Sequence, residues 1–349
     1  MTEKEYKRAK SVFNYDCEGQ LTIDDWLSDL ATEQTAENNS ASESISYGVK
    51  GTIHTMKANS DDITISKDDE SLLDDRIIRT YKRRVGDTYK SSTIFNPNTL
   101  MGVDELESYS EVECVVSEME SRFDMSGFEI TRVDMRFDMY EHGDFKKFEK
   151  LHRFMLLLLS EAYPEKVNRS HTSDLKYLDI IKSNRVSNQR FEAENYDKEI
   201  ESDGKDKATN RLELRSKDLK GKDIPTEFLV TWKKRWNKAL TKYDDVQVEL
   251  NDYLYRQWLS ISEDMARGNA TKYSSSKSFI EAKSDMIYTN EQLIDLISRI
   301  ENLDRDKAIY RVKYLKKKTN FNLIKKSDIN VALTEIDRAT KRFYLPENE

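Results

Sequence analysis

The chain has 349 residues, of which 35% are charged and 37% hydrophobic, and its formal net charge is −8 at pH 7. No apolar run approaches the roughly 20 residues of a membrane-spanning helix, so no such helix is expected. The longest run, residues 154–159, is also too short for a signal-peptide core, and the two cysteines cannot form a disulfide framework. We therefore expect a cytoplasmic protein of two or three domains that binds no membrane.

The charges are unevenly distributed along the chain. Residues 16–75 hold fifteen Asp and Glu against three Lys, a local charge of −12. Residues 305–326 hold nine Lys and Arg against one Asp, a local charge of +8. An acidic arm beside a basic surface is typical of proteins that bind nucleic acid, although a basic run can equally be the solvated face of a helix.

Residues 1–91 are predicted to form an acidic, partly disordered N-terminal region. Within it, residues 32–44 are rich in Ser, Asn and Glu and poor in hydrophobic residues, which is typical of disorder. A short strand is expected at residues 63–65. A short apolar stretch at residues 92–102 is interpreted as the next strand, and a helix is predicted at 110–123 from its apolar spacing.

The following segments are predicted to complete a sheet and its covering helix. A strand at residues 129–139 precedes a helix at 144–163. Three more strands are expected at 175–182, 190–200 and 210–217, the last two as a hairpin. This order predicts an α+β fold for residues 92–220, in which helices cover one face of an antiparallel sheet and the other face stays open.

The C-terminal part, residues 226–349, is predicted to be a mainly helical module after a boundary at 220–225. Its clearest helices are expected at residues 289–300, 305–318 and 327–343. The candidate phosphate contacts are Lys313, Lys316, Lys317, Lys318, Lys325 and Lys326, with Tyr314 and Phe321 interleaved. A helix-turn-helix or winged-helix DNA-binding domain is one interpretation, and a helical bundle with a solvated basic face is the other.

The strand ITRVDMRFD, residues 130–138, carries only charged side chains on one of its faces. Because side chains alternate along a strand, its apolar residues face one side and its charged residues face the other. Two later strands repeat this pattern. The shared charged face would then hold Arg132, Asp134, Arg136, Asp138, Arg190, Glu192, Glu194, Tyr196, Lys198, Arg211, Glu213 and Arg215.

Such a face has a specific chemistry. Clustered carboxylates repel one another unless protons, arginines or a divalent cation neutralise them, and oxygen ligands suit Mg²⁺ or Mn²⁺. The metal could polarise a phosphate, the arginines could hold flanking phosphates, and a tyrosine could attack phosphorus. These parts describe a DNA-nicking and joining site. The alternative is a set of ordinary cross-strand salt bridges on a solvated face.

The segments ITRVDMRFD, RFEAENYDKEIE and NRLELRSKDL resemble the rolling-circle replication initiators of Gram-positive plasmids and the related relaxases of conjugative elements. The resemblance covers roughly residues 92–220. It implies a tyrosine- and metal-dependent endonuclease of the broad HUH type, whose sheet has an open catalytic face. Such enzymes nick one strand at an origin, stay attached to the 5′ phosphate through tyrosine, and leave a free 3′ hydroxyl.

The resemblance also implies roles for individual residues. The metal ligands are Asp134, Asp138 and Glu213, for Mg²⁺ or Mn²⁺. The Tyr-Asp-Lys segment gives Tyr196 and Lys198 as catalytic residues. From the charged face itself we add Arg215 as a catalytic residue, Arg132, Arg136 and Arg211 as DNA contacts, and Tyr177 as a second candidate nucleophile. The His-hydrophobic-His pair of the HUH type is missing, and His54, His142, His152 and His171 show no metal-ligand spacing.

The sequence therefore predicts a rolling-circle replication initiator that nicks and rejoins origin DNA. Its expected partners are single- and double-stranded origin DNA, with a host helicase or polymerase as a further candidate; no oligomeric state is predicted. A conjugative relaxase would use the same chemistry. A non-catalytic DNA-binding regulator and a structural protein with salt bridges on its sheet are the alternatives from other classes.

Overall fold

The computed structural model describes residues 48–60, 77–85, 88–122, 129–140, 145–163, 183–198 and 209–345. Several predicted features lie outside these ranges: the disordered stretch at 32–44, the strands at 63–65 and 175–182, and Tyr177. His142 and His171 also lie outside them. Among the described residues, no helix is long and apolar enough to cross a membrane.

The described strands form one antiparallel sheet of seven strands in the order β2-β3-β1-β4-β7-β6-β5. Their bounds are β1 Gly48–Ser60, β2 Ile77–Val85, β3 Thr88–Phe95, β4 Glu129–Tyr140, β5 Ser183–Ser187, β6 Phe191–Asp197 and β7 Thr209–Ser216. The predicted strands 129–139, 190–200 and 210–217 are confirmed as β4, β6 and β7. The charged-face strand β4 lies at the centre, between β1 and β7.

Most of the remaining described chain is helical, and short helical segments at Ile224–Thr226, Glu227–Thr231 and Ser284–Met286 add to the helices named below. The first part contains α1 Pro97–Met101, α2 Tyr109–Arg122 and α3 Phe145–Ala162. The second part contains α4 Trp232–Leu240, α5 Tyr243–Ala266, α6 Ser276–Ala282, α7 Asn290–Glu301, α8 Arg305–Lys318 and α9 Lys326–Tyr344. The predicted helices at 110–123, 144–163, 289–300, 305–318 and 327–343 are confirmed within one or two residues at each end. The α+β architecture with a helical C-terminal region is therefore as predicted.

Helix α3 lies in the middle of the molecule. All of its residues from 150 to 160 are buried, including His152 and Ser160. The apolar face of the sheet covers one side, and α4, α5 and α9 pack on the others. A helix on the surface would show one apolar stripe and one polar face. The burial of both faces here means that the C-terminal helices share one core with the sheet.

Polar contacts fasten the C-terminal helices to the sheet layer. Ser216 at the end of β7 accepts a 3.0 Å hydrogen bond from the Trp232 indole and donates one of 2.8 Å to Glu227. Glu227 in turn pairs with Arg235 at 2.7 Å. On α3, the Lys150 ammonium reaches the carbonyl oxygens of Ser284 and Phe321 at 2.7 and 2.5 Å. These bonds satisfy buried polar groups at the junction between the two halves.

Two structural findings modify the sequence-based organisation. Strand β1, from the predicted N-terminal region 1–91, pairs with β4 at the centre of the sheet, and β3 crosses the predicted boundary at residue 91. The winged-helix form of the C-terminal module is not supported, because a wing is a β-hairpin and residues 217–345, all of them described, form no strand. Helices α7 and α8 are joined by the three residues Asn302–Asp304, and the helix-turn-helix form stays a prediction.

Candidate active site on the charged sheet face

Strand register arranges the charged side chains in three rows across β4, β7 and β6. The first row is Asp138, Arg211 and Tyr196; the middle row is Arg136, Glu213 and Glu194; the third row is Asp134, Arg215 and Glu192. Neighbours in a row are directly opposite residues, whose side chains contact each other. The three rows together are called the charged face below.

The apolar alternation beneath these rows explains their position. Val133, Met135, Phe137 and Met139 on β4, with Leu212 and Leu214 on β7, are buried in the core on the other face. A shift of register by one residue would place charges in this core, so the pairing is strongly specified. The predicted assignment of apolar and charged sides is therefore confirmed for β4 and β7.

The first row is built on a buried ion pair. The Arg211 guanidinium donates to both oxygens of Asp138, at 2.5 and 2.8 Å. Both side chains are almost fully buried, and Arg136 approaches the same carboxylate at 3.4 Å. Burial alone would lower the pKa of Arg211, but its bonds to Asp138 outweigh burial and raise it. This pair fixes Arg211 beside the half-buried Tyr196.

Tyr196 donates a 2.7 Å hydrogen bond to the Oε1 atom of Glu213 in the middle row. Burial, and secondly the negative charge of Glu213, raise the pKa of the Tyr196 phenol well above its ordinary value. For Glu213, burial would raise the pKa, but Arg215 and the bond from Tyr196 outweigh it and lower the pKa. At neutral pH the pair is thus a phenol donating to a carboxylate.

His54 is the site residue that sequence reasoning missed. It is the extra residue of a β-bulge in β1, where the pairing with β4 shifts between Ile53 and Thr55. A bulge re-aims a side chain, and here the His54 Nδ1 atom lies 3.7 Å from Glu213 Oε1. Burial lowers the pKa of His54 to about 4, although the negative charge of Glu213 acts to raise it. The imidazole is therefore neutral at pH 7, and its contact with Glu213 is not an ion pair.

Arg215, in the third row, contacts four carboxylates. Its guanidinium lies 2.7 Å from Glu213, 3.1 Å from Glu194 and 3.3 Å from Asp134. It also contacts Glu192, which Lys217 pairs with at 2.5 Å. Burial would raise the pKa of Glu192, but the bonds to Lys217 and Arg215 lower it to about 2. One arginine therefore neutralises carboxylates from three strands.

The three predicted metal ligands do not converge on one point. Asp134 and Asp138 lie four residues apart on β4, which separates them by roughly 13 Å along the strand. Asp138 is occupied by Arg211, and Asp134 accepts from Arg132 at 2.7 Å. Among the described residues, no group of three or more His, Cys, Asp and Glu could hold a metal ion. Asp134 and Asp138 act here as anchors for arginines.

A smaller donor set fits a divalent cation better. Glu213 and Glu194 face each other across β7 and β6, and His54 lies beside Glu213. Two facing carboxylates suffice for Mg²⁺, which keeps several waters and completes its shell with substrate phosphates. Burial raises the pKa of Glu194, and the neighbouring Glu213 adds to this against the charge of Arg215. Arg215 already contacts both carboxylates, and a cation bound there would add to the positive charge that offsets their repulsion.

The structure brings most of the predicted residues together. Tyr196, Glu213, Arg136, Arg211 and Arg215 lie on the charged face, and Arg132 borders it through its bond to Asp134. The prediction that Arg190 shares this face is wrong, because it lies exposed in the bend before β6. Lys198 follows the end of β6, and its positive charge helps to lower the pKa of His54. Glu105, just after α1, borders the face through Arg136 at 3.8 Å.

The predicted basic residues of the C-terminal part lie on helices α8 and α9 and on the segment between them. Lys316, Lys317, Lys318, Lys325 and Lys326 are exposed, and Lys313 is half-buried. Lys318 lies over the Tyr314 ring at 4.9 Å, so Tyr314 belongs to this surface. The prediction for Phe321 is wrong: it is 3% exposed and packs in the core, where it cannot stack on a base.

Comparison with known proteins gives little further information. No family model and no curated protein matches the chain. A solved structure of a rolling circle replication initiator protein from Geobacillus stearothermophilus is similar at 11% identity, over 57% of this chain and 80% of that chain, with a TM-score of 0.27. A TM-score this low supports no inference about fold or function, so the function must be argued from the charged face itself.

Proposed function

We propose that the protein is a rolling-circle replication initiator that nicks and rejoins single-stranded origin DNA through Tyr196. The observation that carries this proposal is the 2.7 Å hydrogen bond from the Tyr196 phenol to Glu213, within a face rich in arginines. A phenol is a weak nucleophile until a base takes its proton. Glu213 is a carboxylate at neutral pH and is already in place to accept that proton.

The reaction follows from these positions. The Tyr196 oxygen attacks the phosphorus of the scissile phosphodiester while its proton passes to Glu213. The new bond joins the tyrosine oxygen to phosphorus, and the bond from phosphorus to the 3′ oxygen breaks. The 3′ oxygen leaves with a proton from solvent, and Glu213 later returns its own proton to solvent. Attack by a 3′ hydroxyl on the phosphotyrosine reverses these steps and rejoins the strand.

The arginines supply the electrostatic part of the reaction. Arg136 and Arg215 are only partly exposed, and each already lies beside a carboxylate. Guanidinium groups fixed in this way need no reorganisation when charge develops on the phosphate oxygens. Arg211, held by Asp138, lies beside the phenol and favours its deprotonated form during attack. Asp134 and Asp138 contribute by holding these cations in position.

Mg²⁺ or Mn²⁺ is part of the proposal, with Glu213 and Glu194 as the protein ligands and His54 as a neutral neighbour. When bound there with the substrate, the cation would polarise a phosphate oxygen. The facing carboxylates of β6 and β7 support this assignment. Arg215 also contacts Asp134 and Glu192, so its guanidinium stays anchored beside this site.

The basic surface of α8 and α9 is proposed to hold the double-stranded part of the origin. Its exposed lysines, in a chain whose net charge is negative, support binding to a polyanion. Phosphate contacts of this kind give affinity but no sequence choice. The two surfaces would then divide the work between holding duplex DNA and cutting a single strand.

The experiment that tests the proposal is a nicking assay on labelled single-stranded DNA from the origin of the element that carries the gene. Wild type in Mn²⁺ should form a covalent protein–DNA adduct that survives denaturing electrophoresis. Tyr196→Phe should form none, and Glu213→Gln should form it about 10²- to 10⁴-fold more slowly because the base is lost.

Tyr273→Phe is the matched control, because Tyr273 is a half-buried tyrosine that packs on Phe279 in the helical part. It should form the adduct at the wild-type rate. An adduct that persists in Tyr196→Phe would move the nucleophile to another tyrosine. Intact DNA binding with no adduct, equal in Mn²⁺ and EDTA, would favour the non-catalytic regulator.

A further inference from the structure

A cavity of about 340 Å³ lies on the apolar side of the sheet, between helices α4 and α9. Phe137 and Leu214 form its floor, and aromatic side chains of the α4 side, Trp232 and Trp236 among them, form one wall. The exposed residues Asn237, Asn330 and Thr334 also line this space, so it is open to solvent on that side. A ligand can therefore enter it without any displacement of the core.

Two tryptophans line the cavity on its α4 side. Trp232 and Trp236 are 2% and 5% exposed, and their ring centroids lie 6.1 Å apart. The Trp232 indole N–H donates to Ser216, and the Trp236 indole N–H is itself buried. These tryptophans therefore offer a ligand aromatic ring surface, and no hydrogen-bond donor.

The rim of the cavity is polar. Asp337 of α9 pairs with Lys233 of α4 at 3.2 Å and with Lys341 at 2.8 Å. The exposed side-chain amides of Asn237 and Asn330 also line the cavity, one from each helix. An amide presents both a donor and an acceptor. The rim therefore suits a ligand with hydrogen-bonding edges.

We propose that this cavity binds a purine base. An apolar cavity of roughly 150 Å³ holds one benzene ring, so a cavity about twice that size holds a two-ring system. Aromatic side chains stack on bases, and asparagine amides pair with the edge of adenine. The base can come from a free nucleobase or nucleoside, or from a purine turned out of a DNA strand.

The cavity lies directly behind the charged face. Its floor residue Phe137 alternates along β4 with Arg136 and Asp138, and Leu214 lies between Glu213 and Arg215 on β7. The binding site is nevertheless separate from the nicking chemistry, and its test does not use nicking at all. If the nicking proposal is wrong, the purine-binding proposal is unaffected, and the reverse also holds.

The test titrates the full chain, labelled with ¹⁵N-tryptophan, with adenine and with adenosine, and follows the indole N–H signals by NMR. We expect saturable binding that shifts the signal assigned to Trp236 by its absence in Trp236→Phe. Thr334→Phe places a ring at the exposed edge of the cavity and should weaken binding about tenfold or more. Thr334 donates its hydroxyl to the Asn330 carbonyl at 2.8 Å, within its own helix.

Thr241→Phe is the matched control. Thr241 is also exposed and donates its hydroxyl to a carbonyl three residues earlier, at 2.7 Å, but it does not line the cavity. Its substitution should leave binding unchanged. No saturable shift in wild type, or equal weakening by both substitutions, would overturn the proposal.

Two further arms identify the ligand. 1-Naphthol has two rings and no ring nitrogens; if it binds and both purines do not, the cavity is merely apolar and the purine assignment is wrong. Oligonucleotides of dA and dT distinguish the sources. A shift of the Trp236 signal by dA but not by dT identifies a base within DNA, whereas a shift by adenosine alone identifies the free nucleoside.

Discussion

Asp138 shows how a charge on an open sheet face becomes part of the structure. Its carboxylate is 3% exposed and accepts both bonds of the Arg211 fork. Asp134, expected to be a surface residue if the charges were ordinary salt bridges, is 1% exposed. The charged side chains do form cross-strand pairs, but the long arginine side chains cover the carboxylates and bury them. Removing one partner of such a pair leaves the other with an uncompensated buried charge. This lowers the free energy of unfolding far more than breaking a surface pair does.

We therefore predict that Asp138→Asn lowers the free energy of unfolding by about 3 kcal/mol, because Arg211 keeps its buried charge without a counter-ion. Chemical denaturation followed by circular dichroism measures this. Asp218→Asn is the control, since Asp218 pairs with Lys222 on the surface and its loss should cost at most about 1 kcal/mol. Equal, small losses for both variants would mean that solvent reaches the first row.

At the scale of single residues, alternation predicted most of the side chains that share the charged face, although Arg190 lies in the bend before β6. It could not predict that His54 joins them. That position depends on a one-residue bulge in β1 and on the pairing of β1 with β4, a partner about 80 residues away in sequence. For the metal ligands, alternation grouped residues that are too far apart. Asp134 and Asp138 lie on the same face, but the rise along the strand separates them.

Among the elements, helix α3 carries a titratable group where the sheet layer meets the C-terminal helices. Burial lowers the pKa of Lys150 from 10.5 to about 7, with Arg153 acting in the same direction and Asp285 opposing both. Between these two values the unfolded chain holds a proton on Lys150 that the folded chain releases. The free energy of unfolding therefore rises with pH in this window.

We predict that wild type gains stability between about pH 7 and pH 10, and that Lys150→Met loses this part of the gain. Other groups titrate in the same range, so the quantity to measure is the difference between variant and wild type in urea denaturation at each pH. Lys234→Met, at an exposed lysine on α4, is the control and should track wild type. A parallel pH dependence in Lys150→Met would show that Lys150 is charged in the fold.

Helix α8 and the start of α9 belong to the same scale, because their lysines are proposed to act as a surface. The double variant Lys316→Gln, Lys317→Gln should bind duplex DNA more weakly. The slope of log affinity against log salt concentration should also fall, by about one for each phosphate that the variant no longer neutralises. Lys233→Gln with Lys234→Gln removes the same charge from exposed positions on α4 and should change neither quantity. Equal effects of both pairs would mean attraction by net charge alone.

Helix positions were predictable because apolar spacing and capping residues are local signals. Asp304 caps α8 through a bond to the Lys307 amide, and Thr289 caps α7 in the same way. The burial of α3 on all sides was not predictable, because its charged residues suggested a solvent-facing side. Lys150 and Arg153 on that side meet the C-terminal helices instead.

For the whole molecule, the question is whether the sheet and the C-terminal helices fold as one unit. The sequence suggested a boundary at residues 220–225, where charge and glycine interrupt the apolar pattern. In the structure, a single core contains Phe137 and Leu214 from the sheet together with Trp232 and Phe343 from the helices. A core divided at the boundary would expose both apolar surfaces to water, at about 25 cal/mol for each Å².

We therefore predict one cooperative thermal transition for the full chain, with calorimetric and van't Hoff enthalpies that agree. A chain ended after Lys222 lacks α4 to α9, so its sheet should lose cooperative unfolding and bind an apolar dye. A matched truncation after Leu345 removes only four residues and should behave as the full chain does. Two separate transitions in the full chain, or a soluble and cooperative 1–222 fragment, would restore the boundary as a division between independent domains. In that case the charged face would not depend on the helices behind it. A single transition would mean that the packing of α4 and α9 helps to hold Glu213 against Tyr196.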